Sequence, residues 1–255
     1  MSGDDPEDGW PEDGWPEEGW LEAGWPPLLP PLLTGREVAA AADPMATAVR
    51  EAAGGADPGV FVFAPPGGRL RFAVTLAPEV PLDRAVQMGH ALMIAAGDSI
   101  GALAPPKVAV EYRWPTTLLV NGADAGRVLL AASGSDPAAV PDWLVVGLDL
   151  RLEPDAGVEP GERPDETSLF EEGSGPIPPV LLLESMSRHF LSWLRRWEDD
   201  GFRPLHDAWW GRAEKAMRVD GAALAGLDAD GRALLTDAAG TRAQSLVEHL
   251  QDVTR

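Results

Sequence analysis

The sequence predicts a mixed α+β fold, in which a mainly antiparallel sheet carries helices on one face and is followed by a small β unit. Strand-like segments alternate apolar and polar residues with a period of two, most clearly in Arg69–Leu76. The dipeptide Asn121-Gly122 separates two such segments and is a strong signal for a β-hairpin. Segments 82–103 and 180–199 instead repeat their apolar residues at the spacing of an amphipathic helix.

The first helix is predicted to begin at Asp43-Pro44, because Asp caps a helix N-terminus and Pro suits the first turn. Gly54-Gly55 ends it. A buried strand at 59–64 leads through a Pro-Pro-Gly-Gly turn into Arg69–Leu76. The remaining predicted elements are a helix at 82–103, strands at 108–114, 117–121, 125–132 and 143–152, a polar loop at 153–179, helices at 180–199 and 202–213, and two short strands around an Asp-Gly turn within 224–235.

Residues 1–27 form a segment of low complexity with nine acidic residues and no basic one. Trp10, Trp15, Trp20 and Trp25 recur every five residues, a period that fits neither a helix nor a strand. This composition predicts a disordered acidic tail. The alternative is a multivalent peptide whose Trp side chains dock in pockets of a protein partner. We therefore expect three units, at 1–27, 28–213 and 214–255.

Composition excludes several classes of function. The chain has 255 residues, a net charge of −21 and no cysteine, which excludes disulfides and thiolate metal sites and fits a reducing cytoplasm. A chain this acidic repels phosphate backbones, so we expect no nucleic-acid partner. No apolar run reaches the ~20 residues that span a bilayer, and we expect no membrane partner and no secretory signal. The four histidines lack metal-ligand spacing, so no metal site is expected.

Several motifs share their order and spacing with one known family. The first runs from Glu111 to Gly126 and reads Glu-Tyr-Arg-Trp-Pro-Thr-Thr-Leu-Leu-Val-Asn-Gly-Ala-Asp-Ala-Gly. It resembles the "K-W-P-N-D-L-L-V-N-G-K-K-x-A-G" segment of biotin and lipoate protein ligases. The stretch 65–76 is similar to their "P-P-G-G-N-L-Y-F-S-x-x-L" segment, and 142–150 is similar to their "V-V-G-I-G-I-N" strand. The resemblance extends from about residue 28 to the C-terminus.

The resemblance implies a class II synthetase-like sheet with flanking helices and a small SH3-like C-terminal β domain. It implies ATP-dependent attachment of biotin or a lipoate-like acid to a lysine of a carrier domain, with ATP and biotin or lipoate as ligands. At the family lysine position stands Arg113, which would contact the carboxylate or phosphate of the ligand. The ligand-binding residues implied by the same motifs are Trp114, Pro115, Thr116, Thr117, Ala125, Gly126 and Arg71.

The sequence also departs from the family pattern. The family's Gly/Arg-rich loop "G-R-G-R-x-G-R", which closes over the acyl-adenylate, is missing between the strand at 59–64 and the Pro-Pro-Gly-Gly turn. Two anions meet when a carboxylate attacks the α-phosphate of ATP, so adenylation needs fixed cations and a site that excludes water. The missing loop therefore predicts reduced or altered activity.

Two alternatives to a ligase stay open. One is a non-catalytic ligand-binding or scaffold protein that recruits partners through its Trp-repeat tail. The other is an acyltransferase that uses a pre-activated acyl donor. Two interpretations of single positions also stay open. Asp149 is either a satisfied buried carboxylate or a residue that faces the ligand, and Trp114-Pro115 serves either the ligand or the core and the strand break.

Overall fold

The computed structural model describes residues 24–155, 157–158, 162–175 and 177–251. Its main feature is a seven-stranded mixed sheet in the order β1-β2-β3-β7-β6-β5-β4. Only β1 and β2 pair in parallel, and all other neighbours are antiparallel. The strands are β1 (Thr34–Glu37), β2 (Val60–Phe63), β3 (Arg69–Leu76), β4 (Val110–Arg113), β5 (Thr117–Val120), β6 (Ala123–Ala132) and β7 (Leu144–Arg151). The predicted α+β class is confirmed.

Five helices flank this sheet, and they lie on both of its faces. They are α1 (Pro44–Ala53), α2 (Leu82–Ala85), α3 (Met88–Leu103), α4 (Pro179–Asp200) and α5 (Arg203–Gly211). The large core lies between the sheet and α3 to α5. Helix α1 packs on the opposite face, where Met45 and Ala48 contact Val62, Ala73 and Val145. The prediction of helices on one face was therefore wrong for α1, because the central strands bury small apolar side chains on their second face too.

The segment predicted as one helix at 82–103 is two helices. Between them the backbone N–H of Gln87 donates to the carbonyl of Arg84, and that of Gly89 donates to the carbonyl of Val86. These hydrogen bonds join residues three apart, as in a 3₁₀ helix. They interrupt the α-helical pattern, in which bonded residues are four apart. The break frees the Gln87 side chain, which contacts both Trp197 and the carbonyl of Asp230.

Two local predictions agree with the structure in detail. Helix α1 starts where Asp43 accepts a hydrogen bond of 2.8 Å from the Met45 backbone N–H, with Pro44 in the first turn. The hairpin between β5 and β6 turns at Asn121 and Gly122, whose φ angles are +50° and +92°. A two-residue turn with both φ angles positive matches the right-handed twist of the paired strands.

A second sheet follows α5 and has four antiparallel strands in the order β11-β10-β9-β8. They are β8 (Arg218–Val219), β9 (Ala222–Leu227), β10 (Ala233–Asp237) and β11 (Gly240–Gln244), followed by a 3₁₀ helix at Leu246–His249. Only β9 and β10 were predicted. Strand β8 has two residues, and β11 is polar and largely exposed, so neither shows a hydrophobic period.

The predicted tail falls mostly outside the described residues, which begin at Gly24. The last of the four repeat tryptophans, Trp25, packs edge-on against Phe63 with ring centroids 5.4 Å apart. The Leu28 backbone N–H donates to Glu184 in α4 at 2.7 Å. The chain thus enters the fold beside β2 and α4. None of the helices in the described ranges is long and apolar enough to cross a membrane.

Candidate functional site

Strand register aligns five polar side chains in one row across the sheet. Arg113 of β4 pairs with Thr117 of β5, Thr117 with Arg127 of β6, Arg127 with Asp149 of β7, and Asp149 with Arg71 of β3. Directly paired residues share a face, and neighbouring strands lie about 4.8 Å apart. We call these five residues the cross-strand row. It brings three predicted site residues, Arg113, Thr117 and Arg71, onto one surface.

The cross-strand row lies on the face that carries α1. Residues an even number of positions along the same strands, such as Ala73 two after Arg71 and Ala131 four after Arg127, pack against α1. The residues between them, such as Phe72 and Val128, enter the core on the other face. The row thus occupies the part of this face that α1 leaves uncovered.

Arg113 is held by a carboxylate at one end of the row. Its Nε donates to Glu214 Oε2 at 2.7 Å and its Nη2 donates to Glu214 Oε1 at 2.9 Å. The hydrogen bond to Glu214 raises the pKa of Arg113, and the same contact lowers the pKa of Glu214. Glu214 is itself fixed, because its backbone N–H donates to the carbonyl of Tyr112 at 2.9 Å. Glu214 therefore engages one bidentate edge of the guanidinium, formed by Nε and Nη2.

Asp149 lies second from the Arg71 end of the row, between Arg71 and Arg127, and agrees with both interpretations made from the sequence. Its side chain is about one-fifth exposed and accepts a hydrogen bond of 2.8 Å from Arg69 Nε. Arg69 also contacts Asp155 through Nη1 at 3.2 Å. Asp149 is thus a satisfied, half-buried carboxylate that also lies on the face of the row.

Arg71 and Arg127 flank Asp149 and differ from the other arginines nearby. Arg71 donates to the backbone carbonyl of Ala40, in the loop before α1. Arg127 is exposed. Neither forms an ion pair with any residue in the described ranges. Sequence reasoning missed Arg127, although its position directly after Gly126 and before apolar Val128 places it on the polar side of a strand.

A cavity of about 260 Å³ lies beside the C-terminal end of β7. It is lined by Arg151, Arg163, Asp155 and Glu166, among others. Arg151 pairs across the sheet with Arg69, and it contacts Glu166 at 3.2 Å and Asp124 at 3.2 Å. Glu171 and Glu172 also line this cavity, so its two arginines face four carboxylates and the lining is acidic.

The remaining predicted site residues lie elsewhere. Trp114 is 3% exposed, packs in the core on the face opposite the row, and donates from Nε1 to Gln244 Oε1 at 3.1 Å. Ala125 is fully buried in the same core. Pro115 and Thr116 form the turn between β4 and β5. Their role in ligand binding stays a prediction.

Gly126 of β6 pairs with Leu150 of β7, at a point where the two strands leave no room for a side chain. A Cβ atom at this position would stand 2.4 Å from the Asp149 carbonyl oxygen and 2.8 Å from Leu150 Cα. Both are backbone atoms that cannot move without separating the strands. The structure therefore explains this glycine by sheet packing next to the row, and an approach of its backbone to a ligand stays a prediction.

The connection between β2 and β3 is short. It consists of residues 64–68, and the Ala64 backbone N–H already donates to the Arg71 carbonyl at 3.2 Å. This is the place at which the sequence lacks a Gly/Arg-rich loop. This short connection therefore does not extend over the α1 face of the sheet.

Histidines take structural positions in the described part of the chain. His90 is fully buried, and its ring lies 5.4 to 5.7 Å from the rings of Trp114, Phe202 and Trp209. His189 contacts Ser99 at 3.0 Å between α4 and α3. Within the described ranges no group of three or more His, Asp or Glu residues is arranged to hold a metal ion.

Comparison with known proteins gives a consistent result. The family model described as "Biotin/lipoate A/B protein ligase family" matches residues 29–211. A biotin–[acetyl-CoA-carboxylase] ligase of Paracoccus denitrificans is 30% identical over 151 residues, which are 59% of this chain and 62% of the relative. The match thus spans about three-fifths of the length of that curated relative.

Two solved structures show the same architecture. A biotin protein ligase-like protein of unknown function from Silicibacter sp. tm1040 is 40% identical, with a TM-score of 0.82 over 88% of this chain and 99% of that one. The biotin protein ligase of Aquifex aeolicus, solved in complex with biotin, is 15% identical, with a TM-score of 0.65 over 84% of this chain and 96% of that one. The second likeness concerns the fold alone.

Proposed function

Because the chain belongs to the biotin/lipoate A/B protein ligase family, we propose that it binds a carboxylic acid of the biotin or lipoate class on the α1 face of its central sheet. The observation that carries this proposal is the cross-strand row. It gathers Arg113, Thr117 and Arg71, three residues selected from sequence motifs, on one surface through strand register alone. Arginine side chains recognise carboxylate and phosphate oxygens with paired N–H donors.

The reaction that the family resemblance implies is activation of the acid by ATP and transfer to a lysine of a carrier domain. Activation brings a carboxylate to the α-phosphate, so the site must supply cations and keep water from the mixed anhydride. The arginines of the row can neutralise an oxyanion. The short connection at 64–68 does not shield the site from water, and Glu214 holds Arg113 through two hydrogen bonds. We therefore propose that adenylation is slow relative to binding.

A second candidate function follows from the same two observations. A chain that binds the acid and does not activate it would act as a ligand-binding or scaffold protein. In that case the Trp-repeat tail would supply the contact with a protein partner, and residues 1–27, 28–213 and 214–255 would act as separate units. Pull-down with a peptide of residues 1–27 tests the tail directly. The lack of cysteine supports a cytoplasmic setting for either function.

The full-length protein would be tested with ATP and, in turn, biotin, lipoate and octanoate. Titration calorimetry measures binding, and acid-dependent pyrophosphate exchange measures adenylation. Binding with slow exchange is the expected result. Binding with no exchange supports the second candidate, and the failure of all three acids to bind contradicts both.

The variant Glu214→Gln tests whether the ion pair restrains Arg113. Glutamine keeps the size of the side chain and removes its charge, so Arg113 becomes free to contact an added anion. We expect exchange to rise several-fold. Arg113→Gln in the same background should reverse the gain, and exchange that stays unchanged in Glu214→Gln would show that Arg113 takes no part.

A further inference from the structure

Two arginines of the cross-strand row are unpaired in a strongly acidic protein. The chain has a net charge of −21, and the neighbouring Arg69, Arg113 and Arg151 each contact a carboxylate at 2.7 to 3.2 Å. Arg71 and Arg127 contact no carboxylate within the described ranges. Acidic residues outnumber basic residues in the chain by 41 to 20. Two arginines of the row that contact no carboxylate therefore suggest a surface that binds an anionic ligand.

The positions of these two arginines suit a single anion. Both pair directly with Asp149 in the strand register, one from β3 and one from β6. They are therefore two strand spacings apart, or about 10 Å between their Cα atoms. Two arginine side chains that lean toward each other can bridge this separation, and their guanidinium groups then meet above Asp149.

Asp149 does not take up this pair, because its carboxylate is already bonded to Arg69, which it shares with Asp155. Arg69 Nε donates to Asp149 at 2.8 Å, and the Asp149 side chain is held on the floor of the row. A guanidinium carries five N–H donors. One donor of Arg71 is used by the Ala40 carbonyl, and an oxyanion between the two groups can accept charge-assisted hydrogen bonds from the others.

We propose that Arg71 and Arg127 form the anion clamp of this site and hold the carboxylate or phosphate oxygens of the ligand, while Arg113 stays paired with Glu214. The location of the ligand rests on the function proposed above. The assignment of Arg127 and the exclusion of Arg113 from the clamp go beyond it. Cations supplied by the sheet itself would in part offset the lack of a Gly/Arg-rich loop.

The test measures binding of four probes to the full-length protein by titration calorimetry: biotin, lipoate, octanoate and inorganic pyrophosphate. The variants are Arg71→Gln, Arg127→Gln and, for comparison, Arg113→Gln, with Arg127→Lys to keep the charge but lose the paired donors. Arg242→Gln is the matched control, because Arg242 is exposed on β11 and has no ion pair with a described residue. Thermal unfolding checks that each variant folds.

We expect Arg71→Gln and Arg127→Gln each to weaken binding of every probe that the parent binds by at least about tenfold, which is about 1.4 kcal/mol. Arg127→Lys should lie between parent and Arg127→Gln, and Arg242→Gln should match the parent. Binding that is unaffected in both Gln variants, or lost only in Arg113→Gln, overturns the clamp. So does a parent that binds none of the four probes.

The probes separate the two proposals. If pyrophosphate depends on Arg71 and Arg127 while no organic acid binds, the clamp stands and the proposed function fails. If an organic acid binds without regard to these arginines, the function stands and the clamp fails.

Discussion

Protonation of His90 should destabilise this protein at mildly acidic pH. The imidazole is fully buried in α3 and is surrounded by the rings of Trp114, Phe202 and Trp209. Its Nε2 lies 3.0 Å from the Gly231 carbonyl oxygen, in the turn between β9 and β10, and its Nδ1 has no hydrogen-bond partner among the described residues. The neutral ring thus joins α3 to the second sheet, and a charged ring would have one N–H unsatisfied.

The magnitude follows from the pKa of this ring. Burial lowers the pKa of His90 from 6.5 to about 4, the Gly231 carbonyl raises it less, and His206 lowers it slightly. The unfolded chain takes up the proton near pH 6.5, whereas the folded chain takes it up near pH 4. Stability from the neutral ring is therefore complete above pH 6.5 and declines as the pH falls toward 4. Between about pH 7 and about pH 5 the loss is roughly 2 kcal/mol.

Urea denaturation at these two pH values measures this effect, with His90→Gln as the comparison. Glutamine can keep the contact with the Gly231 carbonyl but takes up no proton. The parent should lose roughly 2 kcal/mol more unfolding free energy than the variant on acidification. Burial also lowers the pKa of His249, and this contribution is common to both proteins and cancels.

Equal pH dependence in the two proteins would refute the reasoning. If His90→Gln does not fold, an NMR titration of the His90 ring in the parent replaces the comparison. A ring that titrates near pH 6.5 in the folded protein would contradict the proposed effect of burial.

The other predictions concern the strands beside the site and are measured as shifts in urea unfolding. Gly126→Ala should cost about 1–3 kcal/mol, because its Cβ meets two backbone atoms of β7. Gly101→Ala in α3 is the control: its Cβ has open space, so it should be neutral or stabilise by up to about 1 kcal/mol, and equal losses at both sites would contradict the packing argument. Trp114→Phe removes the N–H that bonds Gln244 and should cost about 1 kcal/mol. That cost should disappear in a Gln244→Leu background, and its persistence would assign it to packing instead.

Much of the fold was predictable because its signals are local. The period of Arg69–Leu76, the cap at Asp43 and the turn at Asn121-Gly122 each depend on residues close together in the chain. Short or polar elements such as β8 and β11 carry no such signal, because the hydrophobic pattern of a strand depends on a buried face.

The candidate site was predictable only in part. Motifs identified Arg71, Thr117 and Arg113 singly. Their alignment depends on the register between β3 and β7 and between β6 and β7, strands that are distant in sequence. The hairpin turn alone would pair Thr117 with Gly126 and place Arg127 on the other face. The register shift between Leu118 and Leu119 is what brings Arg127 opposite Thr117, and the turn residues give no signal for it.

The sequence by itself determined the family and the α+β class, and it selected the strands that carry the candidate site, because hydrophobic period, turn residues and motif order are properties of the chain. The tertiary structure alone decided which arginines remain unpaired. Arg113 and Glu214 are 101 positions apart and meet because the segment after α5 returns beside β4. Ion pairing acts over a few ångströms, and only folding brings such distant charges within that range.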